Sequence, residues 1–358
     1  MSDKKHILFF TKIECNFAVV ERIYERLTRD ERLEIRFTSK NDLDGRSNRL
    51  FQRMGRSDLP TVNPTLAAFG RWDLYISPDI LMMARRARFR IHTFHGVSFK
   101  GKAFTDKVLK FDRLFVVGPY MQRRFVEKGI LAESDPRLAM VGMPKLDPLV
   151  DGSLQRAEIL GRIGLPLERP TVLYAPTWRK ESSLYSMGEE IIRSLAQKDW
   201  NVLVKLHDLC YYPSYNTVDW DARMRALQHR NLRVIRDYNV VPCLFASDLL
   251  ITDGSSVGNE FTLLDRPIVF LEAPQLVERY RETIDLETWG TKTGRSVKSA
   301  PEAIEAVEWG LAHPQEQSEI RRAAAANIFH KPGTATDRAV AQIYAALELP
   351  SAPTLSRP

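Results

Sequence analysis

Short apolar runs recur along the chain, separated by longer stretches whose apolar positions follow helical spacing. Runs at residues 6–10, 33–38, 74–76, 91–94, 113–117 and 139–141 read as strands, with helical patterns at 17–27 and 119–128. A second series has strands at 171–174, 201–206, 232–235, 249–252 and 268–271. Its helices fall at 188–197, 220–228, 240–246, 258–264, 301–311 and 337–347. This alternation predicts an α/β chain with two parallel sheets, each covered by helices on both faces. The series break at Gly142-Met143-Pro144-Lys145-Leu146-Asp147-Pro148, where two prolines and a glycine within seven residues mark a linker. The expected domains are 1–147 and 148–345. The Pro-rich tail, 346–358, is expected to be disordered.

Composition agrees with this organisation. The 358 residues suit two domains, and 44% hydrophobic with 27% charged residues is ordinary for globular proteins. No apolar run reaches the roughly 18 residues of a membrane-spanning helix. The start leads from Lys4-Lys5 into Ile7-Leu8-Phe9-Phe10, a run that reads as a first strand rather than a signal peptide, so a cytoplasmic protein is expected. Cys15, Cys210 and Cys243 lack metal-ligand spacing and read as reduced thiols. The formal net charge of +7 collects in Arg85-Arg86-Ala87-Arg88-Phe89-Arg90, Lys100-Gly101-Lys102 and Arg123-Arg124. Such surfaces attract phosphates, nucleic acid or anionic membrane, and each cluster reads equally well as a solvated face.

Open parallel sheets bind ligands beyond the carboxyl ends of their strands, and polar residues gather there in this sequence. The run Ile91–Phe94 leads into His95-Gly96 and a basic loop with Lys100. Gly96 is expected to turn the chain sharply and leave His95 at the sheet edge, as a general base or as a structural histidine. After 171–174 come Thr177 and Arg179, a phosphate clamp or a surface loop anchored by Trp178. Strand periodicity puts Lys205 and His207 on one face, an anion site or an outward-facing strand edge. After 249–252 come Asp253-Gly254-Ser255-Ser256-Val257-Gly258-Asn259-Glu260. Small hydroxyl residues opening a helix there suit a phosphate, an ordinary N-cap, or both. Lys331-Pro332-Gly333-Thr334-Ala335-Thr336-Asp337-Arg338 offers a second helix start.

Several patterns are absent. The first βα turn, Thr11–Asn16, has no glycine, so a dinucleotide fingerprint is missing. There is no P-loop, no Gly-x-Ser-x-Gly elbow, and no Asp-x-Asp pair after a strand to hold a metal-bound diphosphate.

Together these segments resemble the CDP-glycerol glycerophosphotransferase family of teichoic-acid primases and polymerases. The carriers are His95-Gly96 with Lys100, Tyr174-Ala175-Pro176-Thr177-Trp178-Arg179, Lys205–His207, Thr252–Ser256 with Leu264–Pro267, and Gly333, Ala335 and Arg338. They lie in the family's order across roughly residues 90–345. Val97-Ser98 stands where the family usually has Thr-Pro, and Gly254 where it usually has Tyr.

The resemblance implies a GT-B fold, with two Rossmann-like domains whose parallel sheets face a central cleft. It implies attack by a hydroxyl of a glycan or lipid-linked acceptor on a CDP-activated alditol phosphate, releasing CMP without metal or cofactor. His95 would be the base, with His207 as the second catalytic residue. Donor contacts would come from Lys100, Thr177, Arg179, Lys205 and Asp253. Ser255, Ser256, Glu260, Gly333, Thr334 and Arg338 would complete them. The enzyme would work at the inner membrane face, with the Arg85–Arg90 cluster and Met82-Met83 touching anionic lipid and no nucleic acid as partner. The alternatives are a GT-B sugar transferase or UDP-sugar 2-epimerase, and a non-catalytic module that binds anionic polymers.

Overall fold

The computed structural model describes residues 4–40, 49–97, 100–286 and 290–350. The described residues fall into two compact units. One comprises residues within 1–95, 103–147 and 328–358, the other residues 96–102 and 148–327. The sequence division therefore needs two corrections. Residues 328–345 pack with the first unit rather than the second, and the short loop 96–102 packs with the second rather than the first. Of the tail 346–358, residues 351–358 lie outside the described residues.

The first unit holds β1 (Lys5–Phe10), β2 (Leu33–Thr38), β3 (Trp72–Ser77), β4 (Ala87–His92), β5 (Arg113–Val116) and β6 (Leu138–Met140). All are parallel, in the order β2-β1-β3-β4-β5-β6. Ile7, Leu8, Phe9 and Phe10 of β1 are fully buried, as a central strand covered on both faces must be. Phe37 stacks on Phe9 at 5.1 Å and meets Phe17 at 5.6 Å and Phe51 at 5.8 Å, which ties β2 to two helices. The helix Glu14–Leu27 begins three residues before the apolar pattern, because the Asn16 carboxamide accepts the N–H groups of Lys12 and Ile13 at 3.2 and 3.3 Å. The helix Ala335–Ala346 closes this unit, and its Tyr344 hydroxyl donates to Asp30 at 2.6 Å. Arg32, bonded to the same carboxylate, holds Asp30 far below the usual carboxylate range.

The basic run at 85–90 spans a turn and a strand. Arg85 and Arg86 lie in an exposed turn, and Arg88 and Arg90 are on β4, paired with Asp73 at 3.6 Å and Asp112 at 3.5 Å.

The second unit holds β7 (Thr171–Tyr174), β8 (Asn201–Val204), β9 (Leu232–Val234), β10 (Leu249–Thr252), β11 (Ile268–Leu271) and β12 (Arg295–Val297). They are parallel in the order β12-β11-β10-β7-β8-β9. Counted within the unit this is 3-2-1-4-5-6 read from β9, the doubly wound order whose switch point lies between its first and fourth strands, here β7 and β10. Every residue of β7, β8, β10 and β11 is buried. Helix Ser183–Ala196 lays Leu184, Ile191, Ile192 and Leu195 on this sheet, and helix Ala300–Ala312 adds Ala303, Ala306 and Val307. β12 escapes the hydrophobic pattern because two of its three residues are exposed.

Cys210 and Cys243 are unpaired and buried, and burial pushes both thiols up to about 12. Among the described residues no helix is long and apolar enough to cross a membrane.

Candidate functional site

The switch point of the second sheet makes the loops after β10, β7 and β8 neighbours, and most of the polar residues singled out in the sequence stand on these three loops. Backbone pairing continues past the strand ends: Ala175 donates to the Ile251 carbonyl at 2.9 Å, and Lys205 to the Tyr174 carbonyl at 3.0 Å. The strand ends are therefore rigid where the loops begin.

Asp253 organises the loop after β7. Its buried carboxylate accepts the Thr177 N–H at 2.9 Å, the Ser183 N–H at 3.0 Å and the Ser183 hydroxyl at 2.8 Å. A carboxylate with three protein donors is a clamp on the chain. Thr177 is thereby fixed, and its hydroxyl accepts from Lys100 at 3.4 Å. The guanidinium of Arg179 lies 4.1 Å over the Trp178 ring, which holds a planar cation in place. Trp178 in turn sits 6.2 Å from His207 on the loop after β8.

Val97, Lys100 and Gly101 are bolted into this unit. Asn259 donates to the Val97 carbonyl at 2.8 Å, and the Thr283 hydroxyl to the Lys100 carbonyl at 2.6 Å. At Gly101 the backbone has φ +70°, and a Cβ would fall 2.1 Å from the Thr283 carbonyl oxygen. Lys100 and Lys102 lie 5.7 and 4.9 Å from the Tyr280 ring centre. Burial pulls the Lys100 ammonium down to about 8; Asp253 opposes this, and Arg179 and Lys102 reinforce it. A cavity of about 340 Å³ opens beside Lys100, Asp253 and Gly254, walled by Phe270, Leu276 and Tyr280.

His207 is placed differently from the sequence expectation. β8 ends at Val204, so Lys205 and His207 do not share a strand face. Lys205 is buried in an ion pair with Asp208 at 3.3 Å and also donates to the Leu206 carbonyl at 3.0 Å. That charge is used inside the protein. His207 caps a short turn: its Nδ1 accepts the Leu209 N–H at 3.1 Å. An accepting Nδ1 puts the ring proton of the neutral imidazole on Nε2.

After β10, Ser255 and Ser256 open the helix Val257–Phe261, and Ser256 makes no side-chain capping bond. Glu260 is buried within that helix. Gly96 packs on Ser256; a Cβ there would lie 3.2 Å from the Ser256 Oγ.

His95 belongs to the first unit, at the exposed end of the chain leaving β4. Its Nδ1 lies 3.2 Å from the Pro78 carbonyl. A carbonyl only accepts, so Nδ1 carries the proton and Nε2 carries the basic lone pair. The sharp turn before His95 is made not by Gly96 but by Phe94, with φ +56°.

The second helix start also differs. Asp147 occupies the N-terminus of Ala335–Ala346: its carboxylate accepts the Ala335 N–H at 3.0 Å, and the Thr336 N–H and hydroxyl at 2.7 Å each. Arg338 donates to the carbonyls of Val141, His330 and Lys331 and to the Thr334 hydroxyl, at 2.6–3.0 Å. Gly333 supplies the positive φ, +90°, that lets the chain fold over this guanidinium. Gly333, Thr334 and Arg338 are thus parts of a clamp inside the first unit, with the helix end already occupied by a carboxylate.

Two Rossmann-like parallel units, the second with cationic and hydroxyl side chains at its switch point, define a GT-B-type α/β protein. A sequence profile of the CDP-Glycerol:Poly(glycerophosphate) glycerophosphotransferase family matches residues 2–345, and the chain belongs to that family. It is 26% identical over 226 residues to the teichoic acid glycerol-phosphate transferase of Staphylococcus aureus, covering 54% of each chain. It is 28% identical over 174 residues to the teichoic acid glycerol-phosphate primase of Bacillus spizizenii, covering 47% of this chain and 42% of the relative. The chain spans about half the length of these curated relatives. A structure of the wall teichoic acid polymerase TagF superposes with a TM-score of 0.70 at 17% identity, over 96% of this chain and 89% of that one. A co-structure of S. aureus MnaA with UDP superposes at 0.60 with 14% identity, over 98% and 100% of the two chains.

Proposed function

We propose that the protein transfers glycerol phosphate, or a related alditol or sugar phosphate, from a CDP-activated donor to a hydroxyl of a glycan or lipid-linked acceptor, releasing CMP. The observation that carries this is the gathering of Thr177, Arg179, His207 and the Ser255-Ser256 turn on the three neighbouring loops at the switch point of the second sheet, with Lys100, from a fourth loop, bonded to Thr177. Phosphoryl transfer depends mainly on positioning and on stabilising charge. Lys100 and Arg179 supply cations, the serine hydroxyls and His207 Nε2–H supply donors, and Asp253 positions the Thr177 loop. No metal or cofactor is called for in this scheme, and EDTA is expected to leave turnover intact.

The acceptor oxygen bonds to the donor's β-phosphorus as the bond from that phosphorus to the CMP oxygen breaks. His95 Nε2 takes the acceptor's proton, and CMP departs as its phosphate anion. The cavity beside Lys100 is within the size range of small-molecule sites. A cytoplasmic site of action at the inner membrane face fits a lipid-linked acceptor, with exposed Arg85, Arg86 and Arg88 turned toward anionic lipid.

The test is incubation with CDP-glycerol and, separately, with UDP-sugars, in the presence of acceptor glycan. Acceptor-dependent CMP release is expected, with a loss of about 10²–10⁴-fold in His95→Ala. Release of UDP alone would replace this reading with the sugar-nucleotide chemistry suggested by the MnaA–UDP likeness. Full turnover by His95→Ala would remove the base.

A further inference from the structure

We propose that His92 is a positioning residue for His95, acting through the Ser77-Pro78 backbone and the turn at Phe94. The inference rests on the reading of His95 as the base and adds a second histidine to it.

The two histidines hold consecutive carbonyls. β3 and β4 pair with Ser77 opposite His92. His92 Nδ1 lies 2.9 Å from the Ser77 carbonyl, and His95 Nδ1 lies 3.2 Å from the Pro78 carbonyl. Both rings must donate through Nδ1. The carbonyl that sets the tautomer of His95 therefore follows directly on a carbonyl held by both the His92 ring and the Thr93 N–H, the latter at 3.0 Å. The rest of that turn is equally constrained. The Ser77 hydroxyl donates to the Asp79 carbonyl at 2.6 Å and accepts the Asp79 N–H at 3.0 Å, and Asp79 accepts the Leu81 N–H at 2.9 Å.

The second link is the strained backbone. Phe94 is a buried aromatic residue with φ +56°, a conformation costly for a side chain of this size that persists where packing enforces it. The His92 ring meets the Phe94 ring edge-on at 4.2 Å and stacks on Phe111 at 4.8 Å. Phe125 braces Phe94 at 5.8 Å. Through this stack His92 holds the turn that aims His95 out of the strand.

His92 also keeps its own proton in place. Burial pulls its pKa down to about 3, with the charges of His95, Asp79 and Lys110 around it exerting smaller effects. It stays neutral, and its Nδ1–H stays a donor, at every pH where the enzyme would work.

The experiment compares His92→Phe, which keeps the ring stack but has no donor, with His92→Gln, which keeps an N–H donor. In folded His92→Phe, kcat is expected to fall about 10- to 100-fold, the cost of a misplaced reacting group. Donor KM should stay unchanged, and nitrogen NMR of His95 should show loss of the single Nδ1–H tautomer. His92→Gln should recover most of the turnover. Ser77→Ala, which removes the hydroxyl bonds to Asp79 that constrain the same turn, should lower kcat in the same direction even if His92→Phe does not fold. Folded His92→Phe with full kcat and an unchanged His95 tautomer overturns the proposal, as does unchanged kcat in Ser77→Ala. A His95→Ala variant run in parallel separates the two claims. If it is dead while His92→Phe is fully active, only the positioning role fails; if it is active, the base itself is wrong.

Discussion

The Lys100 ammonium donates to the Thr177 hydroxyl across 3.4 Å, joining two loop residues 77 positions apart in the chain. Burial has already drawn this lysine down to about 8. Its charge is therefore complete below that value and is lost as pH rises through it. If the charge holds a donor phosphate, donor KM is expected to be flat below about pH 7 and to climb by up to about tenfold per unit well above 8. In Lys100→Met, donor KM should be high at every pH and the slope should vanish. Steady-state kinetics from pH 6 to 10 on both proteins decide it; an unchanged slope in the variant assigns the effect to another group.

Asp253 and Ser183 make a different kind of contact, one that ties the β10 end to a helix start. Asp253→Ala strands three buried donors and is expected to cost about 3 kcal/mol of stability. Donor KM should rise as well, because Thr177 is no longer held. Chemical denaturation and donor titration on the same variant check both halves. A destabilised protein with normal donor KM would show that the Thr177 loop is not part of the site.

Gly96 is tight for a positional reason rather than a conformational one. A methyl group there would meet the Ser256 side chain at 3.2–3.3 Å, and the serine must give way. Gly96→Ala is expected to weaken donor binding several-fold while changing the melting temperature little. A large drop in melting temperature with intact binding would mean that Ser256 is only a structural neighbour.

Arg338 tests the reassignment of the last helix. Arg338→Ala leaves three carbonyls and the Thr334 hydroxyl without their guanidinium, an expected loss of about 2 kcal/mol. Donor KM should be unaffected. If KM instead rises sharply in a protein of normal stability, the phosphate-binding role read from the sequence stands.

Much of this structure was legible in the pattern of residues. The strands Thr171–Tyr174, Leu249–Thr252 and Ile268–Leu271 coincide with their apolar runs. Interior strands of a parallel sheet must be apolar on both faces, so their limits are written as changes in polarity. The polar residues after those strands were visible for the same reason. β12 left no such trace, since an edge strand of three residues with two exposed needs no apolar run. The strand limit at Val204 was also hidden, because the buried Leu206 continues the apolar alternation beyond the last ladder pair.

The sequence by itself determined the α/β alternation, the residues that follow each strand, and therefore Lys100, Thr177, Arg179 and the serine turn as candidates. The tertiary structure decided which of these groups remain available to a ligand. Asp147 fills a helix start 188 residues away, Arg338 spends its donors on carbonyls of its own unit, and Lys205 is paired with Asp208. It decided too that Phe94, and not Gly96, turns the chain toward His95. The physical reason is the same in each case. Polarity along the chain records which side chains must be buried or solvated, but a polar group's partner is set by folding distant segments together.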